Sequence, residues 1–260
     1  MQLLDARQDG PRSLFAHARR CIGGLVCTLL LACALFAGCS TTDVRTASDA
    51  TGAPINVHGS VVLIEPDIEL YEVMAGGMQE PRPEWTAAAR RAYPAAVREL
   101  LAAHGTRLLP DFVPPSALQS PASPDSDRMR QLLLLNQAVA NSIVLHSQPD
   151  ADLATKHGRF DWTLGPGVAV LRNATGADYA LFTYVRDSYT GNGRAAMRVV
   201  GALLLSGDIG GGEQVGLASL VDLRSGQVVW FNLLRDENGD LRTTDGARAT
   251  VASLLKQVPL

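Results

Sequence analysis

The sequence predicts a small layered α/β domain: a mixed β-sheet with helices on its faces, closing on a β-hairpin that is followed by a helix. Three observations predict it. Short β-branched or period-two runs alternate with runs of helical period along the chain. Two apolar runs, Gln214–Leu223 and Gln227–Leu234, are joined by Arg224-Ser225-Gly226, a tight-turn signal in which Gly can take positive φ. The chain has 260 residues, 47% hydrophobic and 19% charged, enough to build a sizeable core and too apolar for wholesale disorder.

In order, Val61-Val-Leu-Ile64 reads as a buried strand ended by Pro66, and Ile68–Val73 alternates as a second strand or an edge extension. Residues 75–83 contain two Gly and two Pro and form a loop. Glu84–His104 repeats its apolar residues at helical spacing, with Pro94 expected to kink or split the helix and Gly105 to stop it. Leu108-Leu109 can begin a short strand. Residues 110–165, with five prolines by position 124, read as a Pro-rich and helical insertion on the domain surface; its helix is capped by Asp125 or Ser126 and runs to about His146. Pro166 suits the first turn of a short helix closed by Gly176. Tyr179–Val185 is a strand of strong β formers ending in the polar group Arg186-Asp187-Ser188-Tyr189. Residues 194–205 favour a helix over a buried strand, and residues 207–212 form a glycine loop. After the hairpin, Thr243 or Thr244 caps a last helix with Val251, Leu254, Leu255 and Val258 on one face.

The first 39 residues read as an address. Arg12, Arg19 and Arg20 precede an uncharged run, residues 21–38, which ends in small residues at Cys39. Basic segment, apolar run and small residues together make a secretory signal. Leu35-Phe-Ala-Gly-Cys39 resembles the lipobox of bacterial lipoproteins, with Phe36 departing from the usual aliphatic residue. The resemblance implies cleavage before Cys39 and a diacylglycerol on its thiol. An uncleaved span is the alternative, at the lower edge of membrane-spanning length. Ser40 through Gly59 is small, polar and turn-rich, so residues 39–59 are expected to be the lipidated Cys and a flexible tether, with a single domain over 60–260. Ser40 after the Cys resembles lipoproteins sorted to the outer membrane, facing the periplasm. All four cysteines fall within residues 1–39, so the mature chain holds no disulfide and no cysteine metal site.

Val221-Asp-Leu-Arg-Ser-Gly-Gln-Val-Val-Trp230, entered through Ala177-Asp178-Tyr179, resembles a pattern shared by the curli secretion lipoprotein family, lipoprotein activators of penicillin-binding proteins and the N-terminal domain of the Tol propeller protein. The resemblance covers roughly residues 177–258. It implies a small α/β module for assembly or binding; the 110–165 segment has no counterpart, and nothing resembles pore-forming strands.

Catalytic signatures are sparse. The loop Ser206–Gln214 lacks the Gly-Lys-Ser/Thr ending of a phosphate-binding loop, and Ser253-x-x-Lys256 lies on a terminal helix without companion motifs. His58, His104, His146 and His157 are scattered, so neither a metal nor a cofactor is expected. Asp161-Trp162 suits a loop clamp or an interface anchor, with core packing the simpler reading for the Trp. Arg186, Asp187 and Tyr189 follow directly on an apolar strand, a place where α/β domains often build sites, and form the candidate binding surface. With a formal charge of −3 there is no basic surplus for nucleic acid. Two function classes remain: a non-enzymatic envelope lipoprotein that binds another envelope protein, with self-association open, or an anchored hydrolase or transferase whose site assembles only in three dimensions.

Residues 1–38 hold four Arg and two Asp, so the mature chain carries 19 basic and 24 acidic side chains, a formal charge of −5. Intact mass spectrometry of the membrane fraction should find a chain starting at Cys39 with acyl mass added. An uncut N-terminus, or a Cys39→Ser protein still fully bound to membrane, would contradict the anchor.

Overall fold

The computed structural model describes residues 40–48, 51–55, 57–115, 123–148, 150–151, 153–191, 212–236 and 239–260. Ser40–Leu260 is one compact unit. Its order is β1 (Ser40–Thr46), β2 (Ser60–Leu63), β3 (Asp67–Val73), β4 (Gln79–Pro81), α1 (Pro83–Ala103), β5 (Arg107–Leu108), α2 (Pro124–His146), α3 (Ala169–Thr175), β6 (Tyr179–Thr190), β7 (Gln214–Asp222), β8 (Val228–Asp236) and α4 (Thr244–Leu254), with 3₁₀ turns at Ala154–Lys156 and Gly165–Val168.

The twelve-residue β6 organises the sheet. On one edge it pairs antiparallel with β7 from Tyr179↔Asp222 to Asp187↔Gln214. On the other it pairs in parallel first with β2 (Val61↔Tyr179 to Leu63↔Leu181) and then with β3 (Asp67↔Tyr184 to Val73↔Thr190). Pro66, with no N–H to donate, sits in the break between those two short strands. The sheet continues β7–β8–β1 on one side and β2–β5 on the other, so it is mixed, with the β7–β8 hairpin inside it. In that hairpin Val221 and Val229 are buried, and Gly226, at φ +79°, lies so close to the Gly165 carbonyl that a Cβ could not fit.

Helices cover both faces. Leu181, Val185, Leu220, Trp230 and Leu234 meet Tyr93, Val97 and Leu101 of α1 and Val251 and Leu254 of α4. On the opposite face, Val62, Ala180, Phe182, Val221 and Phe231 meet Met129, Leu132 and Ile143 of α2 and Leu171 of α3. The helix of the 110–165 segment therefore forms a layer of the core. It starts earlier than the cap residues expected from sequence: Ser123 is the N-cap, accepting from the Ser126 N–H at 3.1 Å, with Pro124 in the first turn. Pro94 does not split α1, which runs unbroken for 21 residues.

Asp178, at the entry to β6, clamps three segments. It accepts from the Ser60 N–H and Oγ, both at 3.0 Å, and pairs with Arg224 of the hairpin turn at 2.7 Å. The Ser60 N–H and then the Arg224 guanidinium hold its pKa down, to about 2. Gly59, at φ +145°, lies against this carboxylate, where a Cβ would come within 2.6 Å.

The expected tether is corrected in part. Ser40–Thr46 is the edge strand β1, antiparallel to β8 from Ser40↔Asp236 to Thr46↔Trp230, and Val44 packs on the core. Composition hid a strand in which Thr, Val and Thr alternate with Thr, Asp and Arg. An edge strand buries one face lightly and tolerates polar residues on the other. The glycine loop and the 194–205 helix expectation fall outside the described residues, apart from Gly212.

Hydrogen exchange should find the alternate backbone amides of residues 41–46 that face β8 protected by about a hundredfold or more over free chain. Free exchange throughout that peptide would return the segment to a tether.

Candidate functional site

Residue alternation along β6 decides what its end can do. Successive side chains of a strand point to opposite faces. Arg186 therefore leaves on one face and Asp187 and Tyr189 on the other, and the surface expected from these three residues does not assemble. Arg186 lies between Asp67 (3.0 Å) and Glu69 (3.3 Å), donates to the Asp67 carbonyl at 3.1 Å and stacks 4.0 Å over the Tyr184 ring. Its charge is spent tying β6 to the start of β3.

Asp187 and Tyr189 do come together, in a closed place. Asp187, 1% exposed, accepts on Oδ2 from the Tyr189 hydroxyl, from Gln214 Nε2 at 2.7 Å and from the Leu241 N–H at 3.3 Å. The Leu241 N–H also reaches the Tyr189 oxygen at 2.7 Å, and Gln214 Oε1 accepts from Thr250 Oγ1 of α4 at 3.0 Å. The Trp85 ring meets the Tyr189 ring edge-on at 5.5 Å, and the Arg242 guanidinium, held by Asp240 at 2.9 Å, lies 3.9 Å above it. Burial pushes the Asp187 carboxyl up to about 6, against its three hydrogen-bond donors, and Asp240 adds to the rise. Burial and the neighbouring Asp187 charge push the Tyr189 hydroxyl up as well. Such a group fastens β6, β7 and α4 together. It presents no reacting atom to solvent.

The open site lies on the other face of the sheet. Between α2 and strands β6–β8 runs a cleft of about 720 Å³. Phe182, Leu217, Phe231 and Leu233 form its floor, Leu133 and Val144 its α2 wall. Asn136, Gln137, Asn141, Arg130 and Arg235 supply polar groups at its edges, and Asn136 is fixed to Ser219 Oγ at 3.1 Å. Leu134, at the lip, is 61% exposed. A cleft of this size, with an apolar floor and a few amide and guanidinium groups, accommodates apolar side chains of a ligand while its edges hydrogen-bond the ligand's polar atoms. Sequence reasoning misses it, although one signal is present: Leu132–Leu135 places four consecutive leucines on one helix, more than a single buried stripe can absorb.

The remaining candidates have structural places. Asp161 pairs with Lys156 at 2.6 Å, which lowers its pKa, and Lys156 lies 4.2 Å over the Trp162 ring, so this pair clamps a loop. His146 stacks on Trp162 and contacts the Ala151 carbonyl through Nδ1 at 2.6 Å. Ser253 gives its carbonyl to Asn232 Nδ2 at 3.1 Å, and Lys256 is exposed. Among the described residues no group of three or more His, Cys, Asp or Glu could hold a metal, and no helix is long and apolar enough to cross a membrane.

No family model matches the chain, and no curated protein matches it. Among solved structures, a singly substituted PelC dodecamer from Paraburkholderia phytofirmans is 12% identical, with 85% of this chain and 98% of that chain covered and a TM-score of 0.37. A PelC dodecamer from the same organism, in another crystal form, is also 12% identical, with 84% and 95% covered and a TM-score of 0.35. Likeness of this degree carries no argument about function.

A carboxyl raised in the fold stabilises it most below its unfolded pKa, near 4, and loses that contribution as pH rises through its folded value. Asp187→Asn should therefore gain stability relative to the unmodified chain between pH 4 and 7, by a difference on the order of 3 kcal/mol. Urea unfolding at several pH values checks it; parallel curves for the two proteins would refute it.

Proposed function

We propose that this chain is a lipid-anchored envelope protein, held at Cys39 on the periplasmic face of the outer membrane, that acts by binding another envelope protein rather than by catalysis. The observation that carries the reading is the apolar cleft between α2 and the sheet. It is a large concave surface of the domain, and its walls are built from side chains that recognise by burial and hydrogen bonding. The ionisable pair that sequence offered for chemistry, Asp187 and Tyr189, is instead sealed beneath Trp85 and Arg242. The resemblance of Val221–Trp230 to assembly modules of envelope lipoproteins points the same way. The bound element is an apolar segment of the partner, with Leu134 and Leu217 among the side chains it covers.

Leu217 is half-buried in the cleft floor, so Leu217→Arg introduces charge there at little cost to the unliganded fold. A photocrosslinking residue at position 134 should yield one discrete adduct in intact cells, and Leu217→Arg should weaken that adduct about tenfold, equivalent to about 1.4 kcal/mol of binding. An adduct indifferent to Leu217→Arg, or no adduct at all, would contradict binding in the cleft.

A further inference from the structure

We infer that the β3–β4 hairpin tip, Met74 to Met78, is a second membrane contact of this protein, touching the same bilayer that holds the Cys39 lipid. The inference rests on the lipoprotein reading and adds to it an orientation. Strand register supplies the first observation. Ser40 pairs with Asp236, Asp236 with Gln214, Gln214 with Asp187, and Asp187 with Leu70, so one cross-strand line joins the first residue of β1 to β3. Cys39 precedes Ser40 by a single peptide bond, and β1 is antiparallel to β8, so the chain reaches the sheet from the end at which β8 finishes. β6 and β3 run toward that same end. Ser40 and Leu70 thus lie four strand steps apart, roughly 19 Å at about 4.8 Å per step, and the hairpin tip continues beyond Leu70 at that same end of the sheet. Because Ser40 belongs to the sheet, a lipid on the adjoining Cys39 would bring this end of the sheet to the bilayer.

The tip itself is the second observation. Residues 74–79, Met-Ala-Gly-Gly-Met-Gln, carry no charge. Met78 is 76% exposed and Met74 39% exposed. The tip is also a fixed turn: the Met74 N–H donates to the Met78 carbonyl and the Gly77 N–H to the Met74 carbonyl, each at 2.8 Å, with Gly77 at φ +85°. Two unbranched apolar side chains are therefore held outward on a turn whose nearby backbone bonds are already made. Charge resumes at the cross-strand pair Glu72↔Glu80, with Glu72 bound to Arg82, about two residues or roughly 7 Å behind the tip. That spacing suits shallow insertion: methionines among the upper acyl chains and carboxylates at the level of water and headgroups. The four-strand offset between Ser40 and β3 separates lipid and tip into two contacts, which fix the domain's tilt.

The test uses the full lipidated protein in phosphatidylethanolamine–phosphatidylglycerol vesicles. Acylation blocks the Cys39 thiol and cleavage removes the others, so Met78→Cys, or as a control Ser225→Cys in the β7–β8 turn at the opposite end of the sheet, offers one thiol for an environment-sensitive dye. Nitroxide lipids should quench the dye at position 78 at least about twofold and leave position 225 unchanged. Vesicle flotation and acyl mass are measured on the same samples. Floating, acylated protein with position 78 unquenched, or with position 225 quenched instead, overturns the hairpin contact while the anchor stands. Protein that neither floats nor carries acyl mass overturns the anchor reading and this inference with it.

Discussion

The pairing of β6 along both edges is the constraint from which the remaining arrangement follows. A strand held by β7 on one side and by β2 and β3 on the other cannot rotate, so its period-two alternation becomes an assignment of residues to faces. Leu181, Val185, Asp187 and Tyr189 belong to the α1–α4 face, Ala180, Phe182, Tyr184 and Arg186 to the α2 face. The first of these faces is closed over by two helices packed extensively on each other as well as on the sheet. The second is covered by α2 and α3 incompletely, and the uncovered part is the cleft. A polar cluster contiguous in sequence was thereby divided, and an apolar surface scattered in sequence was gathered.

Much of the fold was legible because its signals are local. Period two in Ile68–Val73, the β-branched run Val61–Ile64, the turn Arg224-Ser225-Gly226, the αL stop at Gly176 and the Thr243 cap each specify a few residues of backbone, and each appears where its chemistry demands. What could not be read was set by long-range contact. Ser40–Thr46 becomes a strand because β8, far along the sequence, offers it an unpaired edge, and no local pattern announces that edge. Arg186, Asp187 and Tyr189 resemble one site only if the strand ends at Val185; its pairing continues to Thr190 and separates them. The α2–sheet cleft joins residues from elements far apart in the chain and had only the leucine run as a trace.

The Asp187 network is prominent in the sequence and closed to solvent in the fold. Its carboxylate gains three hydrogen-bond donors and loses water; desolvation outweighs the donors, so the raised pKa reflects burial. The group binds the end of the central hairpin to α4 with fixed geometry, a role a neutral amide could also fill. The apolar cleft has the opposite character: little hydrogen-bonding of its own, a floor already shaped by the core, and surface left to bury. Apolar surface left to cover supplies a driving force for recognition there, set against the entropy lost on association.

Whether function resides in the proposed cleft or in the Asp187 network is tested directly by one comparison. Cells lacking the gene are complemented with the unmodified chain, with Asp187→Asn or with Leu217→Arg, each at matched membrane levels, and scored for envelope integrity. Asp187→Asn is expected to restore function at neutral pH and Leu217→Arg to fail. Loss with Asp187→Asn and full restoration with Leu217→Arg would contradict the cleft reading.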